Sequence, residues 1–190
     1  MEKKITGCVF DLDGTLADTA PDIAIALNNS LNDAGLRQVP LESVKEMIGN
    51  GIPVLVRRAL FHIEAPEDLA ADVITSMLAY SRKYYCEKSS LMHGVKDCLE
   101  GLKKRGIPMS ICTNKDETVA QMVVSALDLN RYFYAIVGSR PNLVKKPDPS
   151  MLQIAAEAIN SPMETTMMIG DSEVDAATGI AASSISVIVR

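Results

Sequence analysis

The sequence predicts an α/β fold: an open, Rossmann-like parallel sheet with an all-helical segment inserted near its start. Three observations carry this. Five short apolar runs barely alternate, helical patterns separate the last four, and a long helix-rich stretch divides the first run from the second. Strands buried on both faces of a parallel sheet read as continuous apolar runs. Strand alternating with helix gives right-handed crossovers and helices on both faces.

The runs are Ile5 to Phe10, Pro108 to Cys112, Ala135 to Val137, Thr166 to Ile169 and Ile185 to Val189. They are rich in Ile, Val, Met and Cys. Between them, Gly94 to Lys104 places Val95, Leu99 and Leu102 on one helical face. Glu117 to Leu127 does so with Val119, Ala120, Val123 and Leu127. A further helix begins at Pro149 with Leu152, Ala155, Ala156 and Ile159 inward, and Val174 to Ala182 is small and apolar. Met77, Met109, Met122, Met167 and Met168 read as core fillers.

Roughly ninety residues separate the first two runs, against about a dozen that one crossover requires. Helical spacing recurs within them at Asp18 to Ala34 (Ile23, Ala24, Leu27, Leu31), Leu41 to Ile48, Ile52 to Phe61 and Pro66 to Tyr85, with Gly49 and Gly51 as punctuation. Residues 16–90 are therefore expected to form a helical cap domain, and 1–15 with 91–190 the α/β core.

The 190 residues suffice for one sizeable core and a small second domain, at 47% hydrophobic and 23% charged content. A net charge of −5 argues against nucleic acid or an anionic membrane as the main partner. It leaves room for a small anionic substrate, because a few local cations can dominate a pocket. The four cysteines form no C-x-x-C pair, and Cys8 and Cys112 sit inside apolar runs as small core residues. Met1-Glu2-Lys3-Lys4 leads into no signal-peptide core, and no apolar run reaches the length of a membrane span. A cytoplasmic protein is expected.

Ligands of open parallel sheets bind beyond the carboxyl ends of the strands. There the sequence places Asp11-Leu12-Asp13-Gly14-Thr15, Thr113-Asn114-Lys115, Gly138-Ser139-Arg140 and Gly170-Asp171-Ser172. In extended chain, Asp11 and Asp13 point the same way. Their like charges call for a cation or a shared proton, and with Asp171 they make an oxygen-donor set suited to Mg2+. An Asp pair after a strand also occurs as an ordinary turn or helix cap. Gly14 would let backbone approach a phosphate and expose its N–H; it would equally serve a plain turn. Thr113 offers a hydroxyl and Asn114 a backbone N–H, although Thr-Asn is also a capping pair. Lys146, held extended by Pro147, could reach the carboxylates, and Lys145 is an equally cationic neighbour. Asp171 and Asp175 share one face at a helix start, near the positive end of its dipole.

Asp11-Leu12-Asp13-Gly14-Thr15, Thr113-Asn114, Lys146-Pro147 and Gly170-Asp171-Ser172-x-x-Asp175 stand in the order of the four motifs of the haloacid dehalogenase superfamily, which the chain resembles over nearly its whole length. The resemblance implies a phosphatase. Asp11 would be the nucleophile and Asp13 the acid that protonates the leaving alcohol, then the base that activates water. Gly14, Thr113, Asn114 and Lys146 would meet the phosphoryl group. Asp11, the Asp13 carbonyl and Asp171 would ligate Mg2+, and Asp175 would support the metal shell or Lys146. Superfamily dehalogenases lack the second aspartate of the first motif, so Asp13 favours phosphoryl chemistry.

Narrower features resemble phosphoglycolate phosphatases: Asp18-Thr19-Ala20-Pro21-Asp22, Ile48-Gly49-Asn50-Gly51 with Arg57-Arg58-Ala59-Leu60, and Thr113-Asn114-Lys115. They imply a small phosphorylated metabolite, 2-phosphoglycolate foremost, with Arg57, Arg58 or N–H groups near Gly51 as candidates to meet a substrate carboxylate. His62 and His93 lie in no motif and are expected in surface or cap-packing roles. Ser183 stands where relatives usually carry glycine, and His93 where proline often precedes Gly94. Relatives usually continue with a further loop, strand or helix where this sequence ends at Arg190. Two other readings stand beside this one. One is a related enzyme acting on pyrophosphate, a nucleotide or a sugar phosphate, mutases included. The other is a phosphate-binding or phospho-acceptor domain without turnover.

Overall fold

Burial on both faces decides the architecture, because an apolar run covered on both sides must become an inner strand of a layered sheet. In the computed structural model, which describes residues 4–189, the order is β1 (Gly7–Phe10), β2 (Ala17–Asp18), α1 (Ala20–Asp33), α2 (Leu41–Lys45), α3 (Ile52–His62), α4 (Ala70–Lys83), β3 (Ser90–Leu91), α5 (Val95–Lys104), β4 (Met109–Asp116), α6 (Glu117–Ala126), β5 (Phe133–Ser139), α7 (Ser150–Glu157), β6 (Thr166–Gly170), α8 (Glu173–Ala181) and β7 (Ile185–Ile188). Met1, Glu2 and Lys3, part of the start that shows no signal-peptide core, lie outside the described residues, as does Arg190.

Five strands form a parallel sheet in the order β5-β4-β1-β6-β7. β1 is central, all four of its residues are buried, and its register pairs Phe10 with Ile111 on one side and Ile169 on the other. The chain runs outward through β4 and β5, then returns to the far side of β1 for β6 and β7. That reversal opens a crevice at the carboxyl ends of β1, β4 and β6, where an open α/β sheet receives its ligand.

The chain divides into two units, Met1–Asp18 with Leu91–Arg190, and Thr19–Ser90. The first holds the sheet. One of its apolar layers packs Val9, Cys112, Val137 and Met168 against Met151, Leu152, Ala155 and Ala156 of α7. Where the chain leaves this unit and where it returns, the backbone is tied together: β2 pairs with β3, and the Met92 N–H donates to the Leu16 carbonyl at 3.0 Å.

The second unit is helical around its own core of Leu27, Leu31, Leu55, Val56, Leu60, Val73 and Met77. Its one deeply buried carboxylate of note is Asp22, 3% exposed, which accepts from the Lys88 N–H (3.0 Å), the Ser89 N–H (2.8 Å) and the Ser89 hydroxyl (2.6 Å). The Asp22 side chain thus ties the first turn of α1 to the segment after α4. Among the described residues, no helix is long and apolar enough to cross a membrane.

Element bounds differ from the sequence expectation in informative ways. β4 does not stop at Cys112 but runs on to Asp116, so Thr113, Asn114 and Lys115 lie within a strand rather than after it. β5 starts at Phe133, two residues early, because as an edge strand it need not be apolar throughout: Tyr134 is 76% exposed. The stretch from Pro66 begins as a short 3-10 turn, Glu67–Leu69, before α4. Met77, Met109 and Met168 are buried, whereas Met122 and Met167 are only partly so.

Candidate active site

The end of β1 supplies the first residues. Asp11 closes the strand, its N–H donating to the Ile169 carbonyl at 2.8 Å, and its side chain is buried. The chain then turns tightly, with Leu16 and Ala17 N–H groups both bonded to the Leu12 carbonyl at 3.0 Å. Gly14 sits in this turn at φ +85, a conformation that L residues other than glycine rarely adopt. A β-carbon there would fall 2.3 Å from Asp171 Oδ2, so only glycine lets the β6 acid lie against the turn. The Gly14 N–H corrects the sequence expectation: it donates to the Ala17 carbonyl at 2.9 Å, closing the turn rather than facing a ligand.

From β4 come Thr113 and Asn114, both buried. The Thr113 hydroxyl accepts from the Lys115 N–H at 3.3 Å. The Asn114 side chain works in a way its backbone role did not suggest. Its Oδ1 accepts from the Lys146 N–H at 2.9 Å, and its Nδ2 donates to the Lys146 carbonyl at 3.1 Å. This reciprocal clamp seats Lys146, whose bond to Pro147 is cis, beneath the crevice.

Structure also separates the two neighbouring lysines. Lys146 is 4% exposed, and its ammonium donates to Asp11 Oδ1 at 2.8 Å and to Asp175 Oδ1 at 2.6 Å. For Lys145, burial lowers the amine's pKa, opposed by the charge of Asp116. For Lys146 burial acts in the same direction, but Asp11, Cys112 and Asp175 outweigh it and hold the group above its ordinary value, so it stays charged.

β6 and α8 complete the cluster. Asp171 accepts from the Thr15 hydroxyl at 2.9 Å. Ser172 caps α8 in a reciprocal box with Asp175, whose Oδ2 accepts from the Ser172 N–H at 3.1 Å and hydroxyl at 2.5 Å. A β-carbon on Gly170 would fall 2.3 Å from the Asp175 β-carbon, so Asp175 can fold back onto the strand end only over glycine.

Carboxylate oxygens of Asp11, Asp171 and Asp175 lie within 4.8 Å of one another. Burial pushes the Asp11 carboxyl up to about 7, against the pull of Lys146 and with help from Asp175 and Asp13. One ammonium shared with Asp175 does not fully compensate it. Burial likewise raises Asp171, with the Thr15 hydrogen bond opposing. Clustered hard-oxygen donors that together carry more negative charge than one lysine neutralises fit a small divalent cation such as Mg2+. Both Asp175 oxygens are engaged by Lys146 and Ser172, which leaves Asp11 and Asp171 as its principal carboxylates.

Asp13 stands apart from that cluster. Its carboxylate pairs with the Lys115 ammonium at 2.8 and 3.2 Å. Lys115 appeared in the sequence only as part of Thr113-Asn114-Lys115 and carried no role. The available signal was its place two residues beyond Thr113 in extended chain, the same spacing that relates Asp11 and Asp13. Arg57 and Arg58 have partners inside the helical unit: Arg58 donates to the Met47 carbonyl at 3.0 Å, and Arg57 to the Pro53 carbonyl at 3.4 Å with Glu67 at 3.8 Å.

The family model for haloacid dehalogenase-like hydrolases matches residues 8–189. Phosphoglycolate phosphatase of Pseudomonas fluorescens is 37% identical over 172 residues, which make up 88% of this chain and 62% of the relative. That of Pseudomonas syringae pv. syringae is 37% identical over 187 residues, 94% of this chain and 68% of the relative. The chain thus spans a little under or over two thirds of these relatives' length. The crystal structure of a predicted phosphoglycolate phosphatase from Haemophilus somnus superposes with TM-score 0.89 at 28% identity, covering 99% of this chain and 86% of that one. Sheet topology, motif order and these similarities agree, and the chain belongs to the haloacid dehalogenase-like hydrolase family.

Proposed function

We propose that this chain is a phosphoric monoester hydrolase that uses Mg2+ and an aspartyl-phosphate on Asp11 to dephosphorylate a small metabolite, with 2-phosphoglycolate the first substrate to test. The observation that carries the reading is the buried Lys146 ammonium, 2.8 Å from Asp11 and 2.6 Å from Asp175, at the sheet edge where Asp11 follows β1 and Asp171 follows β6. The relatives named phosphoglycolate phosphatase support the substrate class.

In the first half-reaction, an Asp11 oxygen forms a bond to phosphorus while the bond from phosphorus to the ester oxygen breaks. Asp13 gives its proton to that oxygen, and the alcohol departs. In the second, Asp13 takes a proton from water, the water oxygen attacks phosphorus, and the acyl-phosphate bond breaks to restore the Asp11 carboxylate. Splitting the hydrolysis this way is covalent catalysis with acid–base assistance. The Lys146 ammonium and the Thr113 hydroxyl hold phosphoryl oxygens, while the Asn114 side chain keeps Lys146 in place. Asp11, the Asp13 carbonyl and Asp171 would hold the Mg2+, which supplies positive charge against the anionic phosphoryl group. The four cysteines, all free thiols, suit a reducing cytoplasmic setting.

The test is phosphate release across a metabolite panel that includes 2-phosphoglycolate, with Mg2+ and with a chelator. Asp11→Asn should lose at least about three orders of magnitude, since an amide is not a competent nucleophile. Activity that survives this substitution, or survives the chelator, refutes the mechanism.

A further inference from the structure

We infer that Lys115 is the positioning residue for Asp13, fixing the carboxyl group that passes protons to the leaving oxygen and from water. The inference rests on the hydrolase reading above and assigns a role to a residue that reading leaves out.

The geometry is specific. Lys115 Nζ reaches both Asp13 oxygens, at 2.8 and 3.2 Å, so it fixes the rotation of the carboxyl plane as well as its place. The two side chains are only 12% and 13% exposed, which sets the pair apart from open surface bridges that contribute little. The lysine's own backbone is locked on either side. Its N–H donates to Thr113 Oγ1 at 3.3 Å, and the next residue, Asp116, caps α6 by accepting from the Val119 N–H at 3.2 Å. An ammonium carried on a fixed strand end holds its partner better than one on a loose loop.

Charge supplies the reason for the pair. Asp11 and Asp13 are like-charged groups two residues apart in one short turn. Lys146 is committed to Asp11 and Asp175. Lys115 gives Asp13 a cation of its own, so the two carboxylates are held by different ammonium groups, one from the end of β4 and one from the loop before α7. Without it, the Asp13 carboxyl would lose the two-point contact that sets the rotation of its plane toward the leaving oxygen. A misplacement of about 1 Å in such a group can reduce turnover by about 100-fold.

Leaving groups of different basicity test this. An alkyl phosphate needs a proton on its departing oxygen, whereas nitrophenolate departs without one. In Lys115→Met, we expect kcat on 2-phosphoglycolate and on glycerol 2-phosphate to fall about 10- to 100-fold with KM changed less than about twofold. With 4-nitrophenyl phosphate, rapid mixing should show the first turnover nearly intact and the later steady rate reduced, because water activation still needs Asp13. Lys115→Arg, which keeps the cation, should restore most of the lost turnover, and urea midpoints of both variants control for folding.

Equal loss in the nitrophenolate first turnover and the alkyl substrates would overturn the inference. So would a rise in KM for carboxylate-bearing substrates at unchanged kcat, which would make Lys115 a substrate contact. An active parent enzyme matched by Lys115→Met sinks only this inference; an inactive parent enzyme sinks the hydrolase reading with it.

Discussion

Replacing Lys146 with methionine should unfold the protein more easily, and increasingly so as pH rises. The ammonium is buried and serves two carboxylates, Asp11 at 2.8 Å and Asp175 at 2.6 Å. Methionine matches the stem but leaves both acids without their cation. Removing one partner of a buried ion pair costs about 3–5 kcal/mol, a large share of a typical stability of about 5–15 kcal/mol. The pH dependence follows from Asp11. Its folded-state value, pushed up from 3.8 to about 7, means that the folded protein keeps a proton which the unfolded chain has released. Stability therefore falls as pH rises from about 4 to about 7, by at most about 1.4 kcal/mol per pH unit. Lys146 pulls the Asp11 value down, so its removal carries this decline to higher pH. Lys146 itself, raised above its ordinary 10.5, stays charged throughout.

The variant should thus lose about 1–2 kcal/mol more, relative to the parent, at pH 8 than at pH 5.5. Urea unfolding with a chelator present, at both pH values, measures this. Adding Asp11→Asn to Lys146→Met should recover part of the loss at pH 8 and little at pH 5.5. A deficit below about 1 kcal/mol, or one that is flat with pH, refutes the argument that burial and shared charge govern this centre.

Three further outcomes follow from the same geometry. Mg2+ should raise the melting temperature more at pH 8 than at pH 5.5, because at the lower pH it competes with a proton on Asp11; equal shifts by scanning fluorimetry would contradict the assigned donors. Gly14→Ala places a β-carbon 2.3 Å from Asp171 Oδ2 at φ +85, so it should cost about 1–3 kcal/mol and abolish most of the Mg2+-induced thermal shift. Asp22→Asn weakens the bonds from Lys88 and Ser89, and should cost about 1–3 kcal/mol with faster hydrogen exchange at those two amides.

The sheet was legible because its inner strands are apolar on both faces. β1 and β6 stand out as Cys8-Val9-Phe10 and Met167-Met168-Ile169, and no surface pattern dilutes them. β5 reads short for the opposite reason: it lies at the sheet edge, and its exposed Tyr134 interrupts the buried run. The end of β4 is not legible because Thr113 to Asp116 are polar, and their extension is set by pairing with the neighbouring strand rather than by their own composition. Asp171 can be placed from its position after an apolar run, and Lys146 from the proline that follows it. The choice of Lys146 over Lys145 rested on resemblance, since only the Asn114 clamp decides which ammonium turns inward. The Lys115–Asp13 pair and the inward Gly14 N–H depend on which strands lie side by side and on how one turn closes, and neither is written in local spacing.

The bond between the Met92 N–H and the Leu16 carbonyl has a wider consequence. Because the sheet-bearing unit brings its own two open ends together, the seventy-odd residues between them need satisfy only one boundary condition: to begin and finish at nearly the same point. A graft of different length or shape between those ends would leave β1, β4 and β6 in register. The reactive edge could be kept while the intervening module is exchanged, which makes this junction the natural place to recombine the protein with its relatives.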